Sequence, residues 1–232
     1  MPTLPPWCAL AAAGLLLAAT PAQAAPDPLE GLNRRIYGLN LMLRDQVLDP
    51  VVAAYVTHVS PGFRAGVANA FANLREPVTA ASGLLVGELD LALNAAARFG
   101  INSSLGLGGV RDAATDLGYP RQDFAPADAV CRWGVPRGPF VMLPLLGPST
   151  LRDAGALVAT GVTLSAALGP PIALSWRGGD ALVAYADTAA ELARTDAQAL
   201  DSYALYRSAY LQRRAARCSV DLDPTTEDSA TE

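Results

Sequence analysis

Leu29, Leu32, Ile36, Leu39, Leu43 and Val47 recur at steps of three and four residues, while Arg34, Arg35, Arg44 and Asp45 mostly fill the positions between them. This spacing predicts an amphipathic helix at the start of the chain. Asp27 is placed to cap it, with Pro28 at the first helical position and Glu30 two residues later. Proline then punctuates the sequence: Asp49-Pro50, Ser60-Pro61-Gly62 and Glu76-Pro77 each precede an apolar run. Because the residue before a proline avoids the helical region, each of these points predicts a corner, giving helices of mostly one to four turns. A longer helix is expected from Glu88 to Ser104, ended by Gly106–Gly109. Further helices are expected over Asp153–Leu168, Asp180–Asp196 and Gln198–Arg217, the last with Leu200, Tyr203, Tyr206, Tyr210 and Leu211 on one face. No period-two run of β-branched residues stands out, so the expected class is all-α. Trp133–Asp153 fits no element: it is too apolar for an exposed loop and too rich in Gly and Pro for a long helix.

Composition sharpens this picture. The 232 residues are 51% hydrophobic and only 17% charged, against about a quarter charged in ordinary soluble domains. Mean hydropathy is +0.24. Residues 80–87 and 156–174 carry no charge at all. Such segments are either core or lipid-facing, and short Pro-broken helices suit one leaflet of a bilayer better than a full span. No run after residue 25 is expected to cross a membrane.

Residues 1–24 read as a secretory signal, with an apolar stretch from Ala9 to Thr20 and a small-x-small site at Ala22–Ala24, cut before Ala25. The expected organisation is that signal, a helical domain over 25–217, and an acidic, disordered tail over 218–232. Cys8 precedes the apolar stretch, so the expected product of Sec-type export is a chain without a lipid anchor. Cys131 and Cys218 remain after cleavage, and an oxidising periplasm leaves both a disulfide and two separate thiols open.

Net charge is −5, and every basic residue is Arg. No basic patch is interleaved with aromatics, so no nucleic-acid partner is expected. Catalytic signatures are scarce. His58 is the one histidine, no G-x-S-x-G elbow precedes a helix, and Cys131 and Cys218 lack metal-ligand spacing. Gly106–Gly109 lacks both phosphate-loop frames, because Arg111 stands where the G-x-G-x-x-G pattern needs its last glycine. No enzyme, metal or cofactor is expected. Arg152-Asp153 reads by itself as a solvated pair or a helix-start charge.

Five blocks occur in order: "DPLEGLNRRIYGLN", "NLREP" (Asn73–Pro77), "RFGINSSLGLGGVRD" (Arg98–Asp112), "WGVPRGPFVMLPLLGPSTLRD" (Trp133–Asp153) and "YALYRSAYLQRR" (Tyr203–Arg214). In them the chain resembles the MlaA/VacJ family of outer-membrane phospholipid-transport proteins, from Asp27 to Arg214. The resemblance implies a ring-like bundle of amphipathic helices in the inner leaflet of the outer membrane, around a central polar channel. Mislocalised phospholipids would leave the outer leaflet through it and pass to a periplasmic carrier, and a trimeric porin would be a partner. On this reading Asn33, Arg34, Tyr37, Asn40, Arg152 and Asp153 are candidate channel or head-group residues. Gly134, Pro136 and Gly138 are candidate hinge or gating residues, ahead of an irregular apolar wall. The chain departs from the family at Ala127–Trp133 and in lacking the lipobox cysteine. Two other readings stay open: a soluble periplasmic protein holding lipid tails in a closed helical cavity, and an exported hydrolase.

Overall fold

The computed structural model describes residues 27–218, so the expected signal and nearly all of the expected tail lie outside it. The chain runs α1 (Glu30–Leu43), a π-helical stretch (Arg44–Leu48), α2 (Asp49–His58), α3 (Pro61–Leu85), α4 (Leu89–Ser104), α5 (Ala113–Asp116), α6 (Pro126–Arg132), β1 (Phe140–Leu143), β2 (Gly147–Thr150), α7 (Leu151–Leu168), α8 (Pro170–Gln198) and α9 (Ser202–Arg217). Helix α3 touches α6, α6 touches α7, α7 touches α8, and α8 returns to α3. This closed circuit makes the molecule a helical ring, with α4 packed along the outside of α3.

Proline sets fewer corners than the sequence suggested. Ser60-Pro61 does start a helix, the serine hydroxyl accepting from the Phe63 amide. Pro77, by contrast, lies inside the 25-residue α3, and α8 spans 29 residues from Pro170 rather than starting at Asp180. Pro50 follows a π-helical stretch in an otherwise continuous helical run. The wider π turn makes room for a ring that would otherwise strike the preceding carbonyls. Nor does Asp27 cap α1 in the expected register. The helix begins at Glu30, and the Asp27 carboxylate accepts from the Leu29 amide instead.

Within the expected all-α fold, the segment that fitted no element contains a hairpin. β1 and β2 pair antiparallel, Phe140 opposite Thr150 and Leu143 opposite Gly147. Two asparagines of α1 hold the outer edge of β1. Asn33 donates to the Phe140 carbonyl (3.1 Å) and accepts from the Met142 amide (2.9 Å). Asn40 donates to the Leu143 carbonyl (2.9 Å) and accepts from the Leu145 amide (2.8 Å). Seven helical residues rise about 10.5 Å and three strand residues about 10 Å, so the two amides meet successive strand positions. Each amide side chain presents a donor and an acceptor, as a neighbouring strand would. Asn33→Ala is expected to lower stability by about 2 kcal/mol, because two buried backbone groups lose their partner. A thermal melt reads this, and an unchanged melting temperature contradicts the clamp.

Burial is distributed unlike that of a water-soluble protein. Among the described residues the large apolar side chains that are buried are Val52, Phe140, Met142 and Tyr203, and most other buried apolar residues are alanines. Buried polar and charged residues include Glu76, Arg98, Asp128, Arg152, Asp153 and Arg214. Leu93, Val158, Val162, Ile172 and Leu174 are meanwhile 60–75% exposed. Sequence reading expected no membrane-length helix after residue 25. Leu151–Leu168 corrects this: it has mean hydropathy 1.2, only 17% of it is buried, and it is long and apolar enough to cross a membrane.

Candidate functional site

At the centre of the ring lies a cavity of about 520 Å³. Its wall comes from three of the ring helices and the segment leading into α6: Ala72, Arg75, Glu76, Val78 and Thr79 of α3, Arg121–Pro126, Thr160 and Leu164 of α7, and Trp176, Arg177 and Asp180 of α8. The lining is mixed. Arg75 Nε lies 3.6 Å from Asp180 Oδ1, and Arg177 donates to the Leu157 carbonyl across the α7–α8 contact (3.2 Å). Burial raises the Asp180 carboxyl above its ordinary value, against the opposing pull of Arg75 and Arg177.

Two buried ion clusters hold the wall in place. In the first, Arg98 of α4 is fully buried and satisfies three segments at once. Its Nε donates to Glu76 of α3 (2.6 Å), and Nη1 reaches Thr115 (3.1 Å) and the Tyr119 carbonyl (2.5 Å). Nη2 grips both oxygens of Asp112 (3.0 and 3.1 Å). Asn102, one turn on from Arg98, donates to Asp112 (3.2 Å) and accepts from the Ala114 amide (2.8 Å). The blocks "NLREP" and "RFGINSSLGLGGVRD" thus meet in space and fix the route into the cavity-lining 121–126 segment. Burial alone would raise the Asp112 carboxyl, but hydrogen bonds from Thr115, Arg98 and Asn102 outweigh it and lower it from 3.8 to about 2. A carboxylate with a depressed folded value stabilises the fold above its unfolded value and loses that contribution as pH falls through the folded one. Acid titration is therefore expected to lower the melting temperature between pH 3.8 and about 2, and Asp112→Asn to flatten that part of the profile. An unaltered slope in the variant contradicts the assignment.

The second cluster joins α9 to α6 and to the start of α7. Asp153 accepts from Arg152 (3.0 Å), Tyr210 (2.5 Å) and Arg214 Nη2 (3.3 Å). Arg214 also pairs with Asp128 of α6. Burial, then the bond to Asp153, pushes the Tyr210 phenol upward. Cys131 and Cys218 are joined as a disulfide, with 6.1 Å between Cα atoms, stapling α6 to the end of α9.

None of the six candidate channel or head-group residues lines the cavity. Asn33, Tyr37 and Asn40 face the hairpin and α9, with the Tyr37 ring 5.9 Å from Tyr203 and 6.2 Å from Tyr206. Arg34 sits at the surface of the same interface, forked onto Asp201 (3.2 and 2.7 Å) and 4.4 Å over the Tyr203 ring. Arg152 and Asp153 are buried at the start of α7, which corrects the reading of a solvated pair. The lining residues that sequence reading missed, Arg75, Arg121, Arg177 and Asp180, sit on helices or loops where nothing distinguishes them from ordinary surface charges. Gly134 (φ 79°) and Gly138 (φ 66°) both take left-handed backbone angles.

A helical ring with a mixed polar lining, an apolar exterior and its charges buried in the walls defines a protein that works among lipids. The sequence profile described as MlaA lipoprotein matches residues 25–217, and the chain belongs to that family. It is 32% identical over 209 residues to the Intermembrane phospholipid transport system lipoprotein MlaA of Escherichia coli K12, covering 86% of this chain and 81% of the relative. The protein of the same description from Haemophilus influenzae is 33% identical over 200 residues, covering 80% of this chain and 76% of the relative. A solved chain described under "Structural basis for maintenance of bacterial outer membrane lipid asymmetry" superposes with a TM-score of 0.68 at 30% identity, over 83% of this chain and 98% of that one. The family and both relatives are described as lipoproteins, which corrects the expectation of a chain without a lipid anchor. That expectation rested on Cys8, in a segment outside the described residues.

Proposed function

We infer that the chain is a component of intermembrane phospholipid transport that maintains the lipid asymmetry of the outer membrane. The observation that carries this reading is the cavity of about 520 Å³, with charged groups among its mixed lining, inside a ring whose large apolar side chains point outward. Moving a phospholipid head through hydrocarbon is costly because its charges lose water, and a polar-lined path lowers that barrier. The apolar exterior seats the ring in one leaflet, at about 1.5–3 kcal/mol for each large aliphatic side chain taken out of water. The reading as a soluble carrier with a closed cavity is not favoured, since such a carrier would hide these side chains. A host lacking the chain is expected to accumulate phospholipid in the outer leaflet, read with a membrane-impermeant amine reagent, and to recover when the chain is restored. Unchanged labelling contradicts the reading.

Two finer proposals follow from the family resemblance. A porin trimer would hold part of the exposed apolar exterior, and a periplasmic carrier would accept lipid from the cavity. The segment Gly134–Gly138, with Pro136, would act as a hinge. It links α6 to the hairpin, and the hairpin continues directly into α7, so a swing there would shift two sides of the ring. Left-handed angles at Gly134 and Gly138 support this, as does the open space beside Gly134, where a β-carbon would meet no atom within 4 Å. Gly134→Ala is expected to fold, with about 1–2 kcal/mol of backbone strain, and to change outer-leaflet phospholipid several-fold. An unchanged lipid level in the folded variant removes the hinge.

A further inference from the structure

We propose that Arg75, Asp180 and Arg177 form a head-group station that selects phosphodiesters carrying an ammonium over those with a net negative charge. This rests on the transport reading above and names the head-group preference of the same cavity.

The argument is one of charge and partners. Five charged residues line the cavity besides Asp180, namely Arg75, Glu76, Arg121, Asp123 and Arg177, but not all face a ligand freely. Glu76 is held by the buried Arg98, and Asp123 pairs with Arg217 at 2.5 Å. Arg121 lies 3.4 Å from Asp112, which Arg98 already grips. Arg75 is left facing the Asp180 carboxylate, while Arg177 acts on that carboxylate through its charge and donates its own hydrogen bond to the Leu157 carbonyl (3.2 Å). The Arg75–Asp180 contact is long, at 3.6 Å, and the Arg75 side chain is 53% exposed. An entering phosphodiester offers Arg75 a fork-shaped acceptor that this contact does not supply.

Turning Arg75 onto a phosphate leaves the Asp180 carboxylate, whose side chain is only 25% exposed, with no cation but the Arg177 guanidinium, which is bonded to the Leu157 carbonyl. Burial already disfavours its charged form, as its raised value indicates. A head group with an ammonium a few atoms from its phosphate replaces the lost cation. A glycerol head group does not, and leaves a desolvated carboxylate beside a second anion, which penalises the wrong ligand.

The test uses the full chain in detergent and titrates three soluble probes by calorimetry: dihexanoyl phosphatidylethanolamine, dihexanoyl phosphatidylglycerol and dihexanoylglycerol. The native chain is expected to prefer the ethanolamine lipid several-fold over the glycerol lipid. Asp180→Asn is expected to abolish that preference. Arg75→Gln and Arg177→Gln are each expected to weaken both phospholipids about tenfold and to leave dihexanoylglycerol unchanged, while Arg75→Lys retains the preference. Equal affinity of the native chain for the two phospholipids, or a preference that survives Asp180→Asn in a chain of native helicity, overturns the station and leaves the transport reading standing. A native chain that takes up neither phospholipid overturns both.

Discussion

Arg98→Ala is expected to cost about 3–5 kcal/mol, the cost of breaking a buried ion pair by removing one partner. The guanidinium is fully buried and satisfies Glu76, Asp112, Thr115 and the Tyr119 carbonyl. Alanine leaves the two carboxylates without their shared cation, one of them only 4% exposed. Domains of this size are stable by about 5–15 kcal/mol, so much of the margin disappears. Arg98→Lys keeps the charge but loses the fork onto Asp112, and is expected to fall between the native chain and alanine. Arg111→Ala is the control: its pair with Asp116 is 73% and 59% exposed, and the change should stay within about 0.5 kcal/mol. Thermal melts of the three variants in one detergent read the ordering. Equal losses for Arg98→Ala and Arg111→Ala contradict the role given to the cluster.

Thr160→Trp is expected to leave the ring folded and to stop transport, reducing it at least tenfold. Thr160 lines the cavity from α7, so an indole there occupies the path itself. Val162 lies two residues on, about 200° around the same helix, and is 65% exposed. Val162→Trp should therefore leave transport unchanged, since an indole on that side meets acyl chains. Outer-leaflet phospholipid in a host carrying each variant separates the two. Full transport with Thr160→Trp in a folded protein means that lipid does not pass through this cavity.

Much of the helical fold could be read from the sequence, because the periods of α1, α4 and α9 are local. The chain's excess of apolar residues was equally plain, though not which faces would be left outside. The hairpin was hidden for a physical reason. Phe140-Val141-Met142-Leu143 is uniformly apolar and Gly147-Pro148-Ser149-Thr150 is turn-like, so neither alternates. What holds the edge of β1 is Asn33 and Asn40, more than a hundred residues away. The same limit explains the candidate residues. Polar positions on α1 suggested a channel lining, whereas two of them bind the hairpin. Arg75, Arg177 and Asp180 gained meaning only when α3 and α8 came together. The sequence blocks shared with the family were informative in another way: Glu76, Arg98 and Asp112 come from two of them and form a single cluster.

The central claim is that the apolar outside of the ring touches acyl chains while its inside is wet. Nitroxide labels on Val162→Cys and Leu174→Cys, compared with Thr160→Cys, in vesicles of phosphatidylethanolamine and phosphatidylglycerol, test it most directly. The measurement is the relative collision rate with oxygen, which concentrates among acyl chains, and with a water-soluble nickel chelate. The outer two positions are expected to favour oxygen strongly and Thr160→Cys to favour the chelate. Outer positions as open to the chelate as the cavity position would contradict the account.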